Sequence, residues 1–260
     1  MKKTTAIRWC DATWNPISGC RKISPGCDNC YAEVIATSSR LASAFPMGFE
    51  PTFKPHKLSE PRRISEPSRI FTNSMSDMFL GAWTDDQVTQ MLDVMAQVDR
   101  HDYLVLTKRP QSMHRHVTRW LGQRGLDRVP SHIWLGVSVE NQEWADKRIP
   151  VLVDLPVDVR FLSCEPLVGP VDLSPWIDSL QWVIVGGESG NGTKNFRPMP
   201  HEWARSVRDL CVSADVPFFF KQSAAYRTEL GITLDDVLWE QWPAQHPRER
   251  AALGQRVLVS

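Results

Sequence analysis

Six short runs of β-branched and aromatic residues alternate with longer stretches of helical period in this chain. That alternation constrains its architecture more than any other feature. The runs occupy residues 69–73, 103–107, 132–138, 157–163, 181–185 and 216–220, and an earlier strand is expected between residues 6 and 15. Thr84 and Gln87 form a capping box, and Val88, Met91, Leu92, Met95 and Val98 share one helical face over residues 84–100. Pro110 suits a first turn and is followed by the stripe Met113, Val117, Trp120 and Leu121. Asn141 can cap a helix through Trp144 and Ile149, and Pro200 opens one with Trp203, Val207, Leu210 and Cys211 inward. A further helix is expected from Tyr31 to about Leu41.

Strands alternating with helices imply parallel βαβ units with right-handed crossovers. The expected fold is α/β, a full or partial parallel β/α barrel of 6–7 strands, with a doubly wound open sheet as the alternative. Residues 1–222 are read as one such domain. Within it, residues 42–67, rich in proline and polar groups, read as a long surface excursion. Residues 223–260 read as a C-terminal extension, amphipathic over 233–239 and polar beyond.

Thirty basic residues balance thirty acidic ones, so no global field draws the chain to nucleic acid or anionic membrane. Phosphate contacts would need a local basic patch. No stretch approaches the roughly 20 apolar residues of a membrane span, and no apolar run follows the N-terminal lysines. A soluble, cytoplasmic protein is expected.

In parallel α/β folds, ligands bind at the carboxyl ends of the strands. Those ends carry Ser74, Ser76 and Asp77; Lys108 and Arg109; Ser138, Glu140 and Asn141; Cys164 and Glu165; Glu188; and Lys221. Helix capping explains Ser76, Asp77 and Asn141 equally well. It does not explain the cations, which are disfavoured near a helix N-terminus. A polar pocket at one barrel mouth is expected.

The loop after the first strand would open on that mouth, and it carries Cys20-x6-Cys27-x2-Cys30. Three readings compete. A structural zinc site takes four ligands, so Cys10 or His56 would have to complete it. A packed, unliganded cluster is the second. The third is a [4Fe–4S] cluster held by three thiolates, with one iron left open for a cosubstrate.

A longer set of motifs carries a resemblance. It comprises Thr13-Trp-Asn-Pro16, Gly19-Cys20, Ser24-Pro-Gly-Cys27, Cys30-Tyr-Ala32, Asn73-Ser-Met-Ser-Asp77, Leu106-Thr-Lys-Arg-Pro110 and Gly136-Val-Ser-Val-Glu-Asn141. Phe161-Leu-Ser163, Glu165-Pro-Leu167, Gly186-Gly-Glu-Ser-Gly190, Arg197-Pro198 and Phe219-Phe-Lys-Gln222 complete it. The pattern resembles a family of phage and bacterial proteins of unknown function, radical-S-adenosylmethionine-like and distantly similar to spore photoproduct lyase. The radical superfamily's usual spacing is Cys-x3-Cys-x2-Cys; here the first gap is six, and beyond Gln222 the sequence departs as Ser223-Ala-Ala-Tyr226.

The resemblance implies a barrel of that type with a [4Fe–4S] cluster on Cys20, Cys27 and Cys30. S-adenosylmethionine would sit on the open iron and be cleaved reductively to a 5′-deoxyadenosyl radical. An electron donor such as flavodoxin or ferredoxin would serve it, and the substrate would be a nucleobase or nucleic acid. Ser74, Ser76 and Asp77 would take the cosubstrate's ammonium and Lys108 or Arg109 its carboxylate, while Tyr31 would pack on the adenine. Ser138, Glu140 and Asn141 would hold the ribose, with Glu165 beside the cofactor. Lys108, Glu188, Lys221 and Cys164 would be the catalytic candidates, Cys164 as a hydrogen-atom donor. A zinc-binding nucleic-acid protein with Lys108, Arg109, Arg115 and Arg119 as its basic face is the alternative without catalysis. A degenerate barrel acting as a partner protein is a third.

Overall fold

The computed structural model describes residues 5–244 and 246–249. The chain opens with β1 (Ala12–Trp14) and β2 (Ile17–Ser18), passes through the cysteine loop into α1 (Tyr31–Thr37), and continues to β3 (Thr52–Phe53) and α2 (Glu60–Arg63). Then follow β4 (Arg69–Thr72), α3 (Asp85–Gln97), β5 (Asp102–Thr107), α4 (Pro110–Arg124), β6 (Ile133–Ser138) and α5 (Gln142–Val153). The last elements are β7 (Arg160–Cys164), β8 (Trp182–Gly186), α6 (His201–Ser213) and β9 (Phe218–Gln222).

Seven strands pair in parallel in the order β1-β4-β5-β6-β7-β8-β9. The order never reverses, so there is no switch point and the doubly wound alternative falls. The sheet curls into a half-barrel. Two apolar layers follow from strand alternation. Ile70, Tyr103, Val105, Ile133, Leu135, Leu162 and Val183 belong to the cluster shared with the helices. Phe71, Leu104, Trp134, Phe161, Trp182, Ile184 and Phe219, their alternates, form a second cluster on the concave side.

Local signals account for the helices. The Thr84–Gln87 capping box is formed in both directions, and Asn141 accepts from Trp144 N at 3.2 Å. Pro110 sits in the first turn of α4, above a buried Met113, Val117, Trp120 and Leu121. Three expectations are corrected. The helix after the cysteines stops at Thr37 and gives way to a 3-10 turn, Ser39–Leu41. Residues 42–67 do not merely cover surface: β3 pairs with β2, Pro61 is buried, and Phe53, Leu58 and Ile64 pack on the main core.

The segment after β9 is the third correction, because it seals the base of the half-barrel. Phe220 N donates to Trp239 O and Phe218 N to Gln241 Oε1, both at 2.9 Å. Trp182 Nε1 donates to Gln241 O at 2.8 Å and Trp242 Nε1 to Trp9 O at 3.2 Å. Arg69 then holds Ala244 O at 2.7 Å, and His246 meets Asp11 at 2.8 Å. The strap therefore runs from β9 across to β1 and β4, under the aromatic floor.

Beside β4, His101 is inaccessible and takes the Ser68 N–H on Nδ1 at 3.2 Å, so Nε2 carries the proton toward Pro61 O at 3.1 Å. Burial lowers its pKa to about 4. An unfolded histidine titrates near 6.5, so between those values the unfolded chain binds the extra proton. The stabilisation is complete above about pH 6.5 and is lost as the pH falls, about 2 kcal/mol of it by pH 5. Urea unfolding at pH 7 and pH 5 should show that difference in the native chain and a smaller one in His101→Gln. Equal losses in both would assign the effect to other groups.

Candidate functional site

The loop carrying the three cysteines lies across the carboxyl ends of the strands and is tied to four other strand-end loops. After β4, Ser76 Oγ donates to Gly19 O at 2.6 Å, Gly19 N donates to Met75 O at 3.0 Å, and Tyr31 Oη donates to Ser74 O at 2.6 Å. After β5, Arg109 donates to Arg21 O at 2.7 Å. After β6, Glu140 accepts from Ser24 Oγ at 2.5 Å. After β8, Glu188 accepts from Asn29 Nδ2 and Arg197 donates to Pro25 O, both at 2.8 Å. Two glycines permit this close seating. Gly19 has φ +78°, where a side chain is strained and would strike Glu50 O; a Cβ on Gly26 would overlap the Glu140 carboxylate.

Two carboxylates organise the mouth from below. Asp77 accepts from Thr107 Oγ1 at 2.7 Å, Lys108 N at 3.0 Å and Phe79 N at 2.9 Å, bracketing the β4 and β5 loops together. Glu140 is inaccessible and pairs with the equally buried Arg148 at 2.9 Å, with Lys108 Nζ at 4.0 Å. Burial lowers the Arg148 pKa from its ordinary value, against the pull of Glu140. Cys20 is pushed up to about 11, by burial first and then by Asp77, while Arg109 acts in the opposite direction. Burial also raises Tyr31, whose hydroxyl is tied down although the residue as a whole is 40% exposed.

The remaining candidates divide. Lys221 forms an ion pair with Glu165, and Glu188 pairs with Arg197. Hydrogen bonds from Arg197 and Asn29 hold Glu188 below its ordinary pKa despite the opposing effect of burial. Ser138 is buried at the end of β6, where its carbonyl accepts from Arg148 at 2.7 Å. Asn141 is occupied as the α5 cap, and Ser74 Oγ donates to Asn15 Oδ1 at 3.2 Å. Cys164 is a correction: it lies inside β7, fully buried in the helix-facing cluster and beside Cys211, with its pKa raised by burial. Alternation turns it away from the concave side, so it cannot meet a substrate radical there.

Gly186-Gly-Glu-Ser-Gly190 forms the turn after β8. Its close backbone approach is to the chain itself, since a Cβ on Gly187 would collide with Ala224 N. The four cations of the supposed basic face are engaged with Glu140 (Lys108), Arg21 O (Arg109), Ser112 (Arg115) and Asp85 (Arg119). Sequence reasoning missed Arg148 and the roles of Ser24, Asn29 and Arg197 as anchors. The last three lie in or beside quoted motifs, whereas Arg148 is a mid-helix cation with no local signal.

All six cysteines are free; Cys10, Cys164 and Cys211 are buried, while Cys20, Cys27 and Cys30 are half-buried on the rim loop. Among the described residues no group of three or more His, Cys, Asp or Glu side chains is arranged to hold a metal ion. A cubane cluster makes a different demand, because its thiolates bind separate irons. Arg109 Nε is buried with no hydrogen-bond partner among the described residues, and this guanidinium is an electrostatic neighbour of Cys20. No helix among the described residues is long and apolar enough to cross a membrane.

A family model described as "Protein of unknown function (DUF5131)" matches residues 4–251. No curated protein and no solved structure matches the chain.

Proposed function

The chain belongs to this DUF5131 family of unknown function, and from that premise we propose that it is an iron–sulfur enzyme of the radical S-adenosylmethionine type. One observation carries the reading: the loop with the three half-buried thiols spans the half-barrel mouth, anchored to the loops after β4, β5, β6 and β8. Cys20, Cys27 and Cys30 would hold a [4Fe–4S] cluster. Bound there, that group supplies the reductive cleavage of S-adenosylmethionine to a 5′-deoxyadenosyl radical, with electrons from a flavodoxin- or ferredoxin-like donor.

The chain's own residues supply position. Arg109, with an unused buried N–H, offers a planar two-point contact to the cosubstrate carboxylate. Asp77 already accepts three hydrogen bonds and acts by fixing the loop from which Arg109 projects. Tyr31, partly exposed, can lie against the adenine. Lys221, in β9, and Glu165, just after β7, form an ion pair at the carboxyl ends of the strands, available to a substrate.

Anaerobically purified protein is expected to be brown, to carry about four irons per chain and to cleave S-adenosylmethionine on reduction. Alanine at Cys20, Cys27 or Cys30 should abolish the iron, and Cys10→Ala should retain it. Colourless protein with stoichiometric zinc after anaerobic reconstitution would overturn the reading.

A further inference from the structure

The β8 and β9 strands continue side by side beyond the rim. Gly187 N donates to Gln222 O at 2.9 Å, Ala225 N to Glu188 O at 3.1 Å, Gly190 N to Ala225 O at 2.8 Å and Gly192 N to Tyr226 O at 2.6 Å. This backbone ribbon carries a shallow, open cleft of about 600 Å³, lined by Gly192, Thr193, Lys194, Phe196 and Tyr226. Tyr226 is 46% exposed, and the Arg227 guanidinium lies 5.4 Å from its ring centroid. Neighbouring carboxylates are engaged elsewhere: Glu188 and Asp28 with Arg197, and Glu229 with Arg8. Lys194 and Arg227 are left without a carboxylate partner among the described residues. The cleft adjoins the cysteine loop at Asn29, between Cys27 and Cys30, which takes hydrogen bonds from Asn191 at 3.3 Å and Asn195 at 3.4 Å.

We infer that this cleft holds a base and the flanking phosphates of a single-stranded nucleic acid, beside the cysteine loop. As a statement about substrate it rests on the proposed function, whereas the binding itself needs no cofactor. Two aromatic rings offer stacking surfaces, which any base can use. Two unneutralised cations supply the local patch that the balanced net charge withholds from the rest of the chain. The cleft has few walls and cannot enclose a free nucleotide, whose sites bury most of the ligand. A strand crossing it is held on both sides by its own backbone. A duplex keeps the faces of its bases in the stack, out of reach of Tyr226.

The test is fluorescence anisotropy with a labelled oligothymidylate of about 12 nucleotides, within the usual single-strand site sizes. The full chain is used, with iron measured on the same sample. Binding is expected, and Tyr226→Ala should weaken it roughly tenfold with an unchanged melting temperature. Lys194→Gln and Arg227→Gln should each reduce the slope of log affinity against log salt by about 0.7. Duplex of the same length should bind less tightly, and thymidine monophosphate should not compete. No oligonucleotide binding, or binding indifferent to Tyr226→Ala, overturns the inference. Competition by the mononucleotide at equal concentration overturns the assignment to a strand. Iron-free protein that binds the oligonucleotide would uphold this inference even if the proposed chemistry failed; iron-loaded protein that cleaves S-adenosylmethionine without binding it would do the reverse.

Discussion

Glu140→Ala is expected to destabilise the fold by about 3–5 kcal/mol, the range for breaking a buried ion pair from one side. Its partner Arg148 is 1% exposed, and two of its nitrogens, Nε and Nη2, have no hydrogen-bond partner among the described residues. What remains to it is the Ser138 carbonyl and the face of Trp144, 4.2 Å from the guanidinium carbon. Without the carboxylate, a buried cation stands almost uncompensated. Ser24 also loses its acceptor, so the cysteine loop loses its central tether. The two effects can be separated. Glu140→Leu combined with Arg148→Met removes both charges and should recover most of the stability in urea unfolding. It cannot restore the tether, so limited proteolysis within residues 19–31 should stay faster than in the native chain. A loop as protected in the double variant as in the native chain would show that Glu140 does not hold it.

Trp182→Ala should cost about 3–5 kcal/mol, as large-to-small changes in a packed core do. The indole is inaccessible at the centre of the concave floor. Its ring centroid lies 5.7 Å from Phe161, 6.1 Å from Trp134, 6.2 Å from Trp9 and 6.3 Å from Phe219, mostly edge-on. Truncation leaves a cavity that β6, β7, β9 and the segment before β1 would have to collapse into together, and it removes the bond to Gln241 O that pins the strap. Trp182→Phe keeps most of the ring and loses the donor, so about 1–2 kcal/mol is expected. The check is the guanidinium midpoint at constant slope. A loss below 1 kcal/mol for the alanine variant would mean that the floor repacks freely.

The barrel was legible because its rules are local. A strand facing helices on one side and aromatic floor on the other must be apolar along its middle, and β5, β6 and β8 read that way over residues 103–106, 133–137 and 182–185. Thr84 and Asn141 announced their helices through capping chemistry that acts over three residues. Contacts between distant segments were not legible. Ser24 and Glu140 are 116 residues apart, so nothing in either neighbourhood distinguishes a tether from a ribose acceptor. Cys164 was misplaced because a strand that ends one residue later than expected puts it inside the ladder, facing the helices. Residues 241–244 showed no period because they form neither strand nor helix, and their backbone carbonyls accept from side-chain donors of Trp182 and Arg69.

The strap also has a consequence in time. Trp242 and Trp9 are joined across 233 positions, and Arg69 reaches Ala244 across 175. Contacts of that span form only after a large loop has closed, which slows folding more than it weakens the final state. During synthesis every strand emerges before residues 239–246 do. The growing half-barrel can therefore cover its outer face with helices while its aromatic floor is still open to water. Capture of one short peptide then becomes the closing event, and until it occurs the nascent chain presents a sticky cup of tryptophan and phenylalanine to its neighbours.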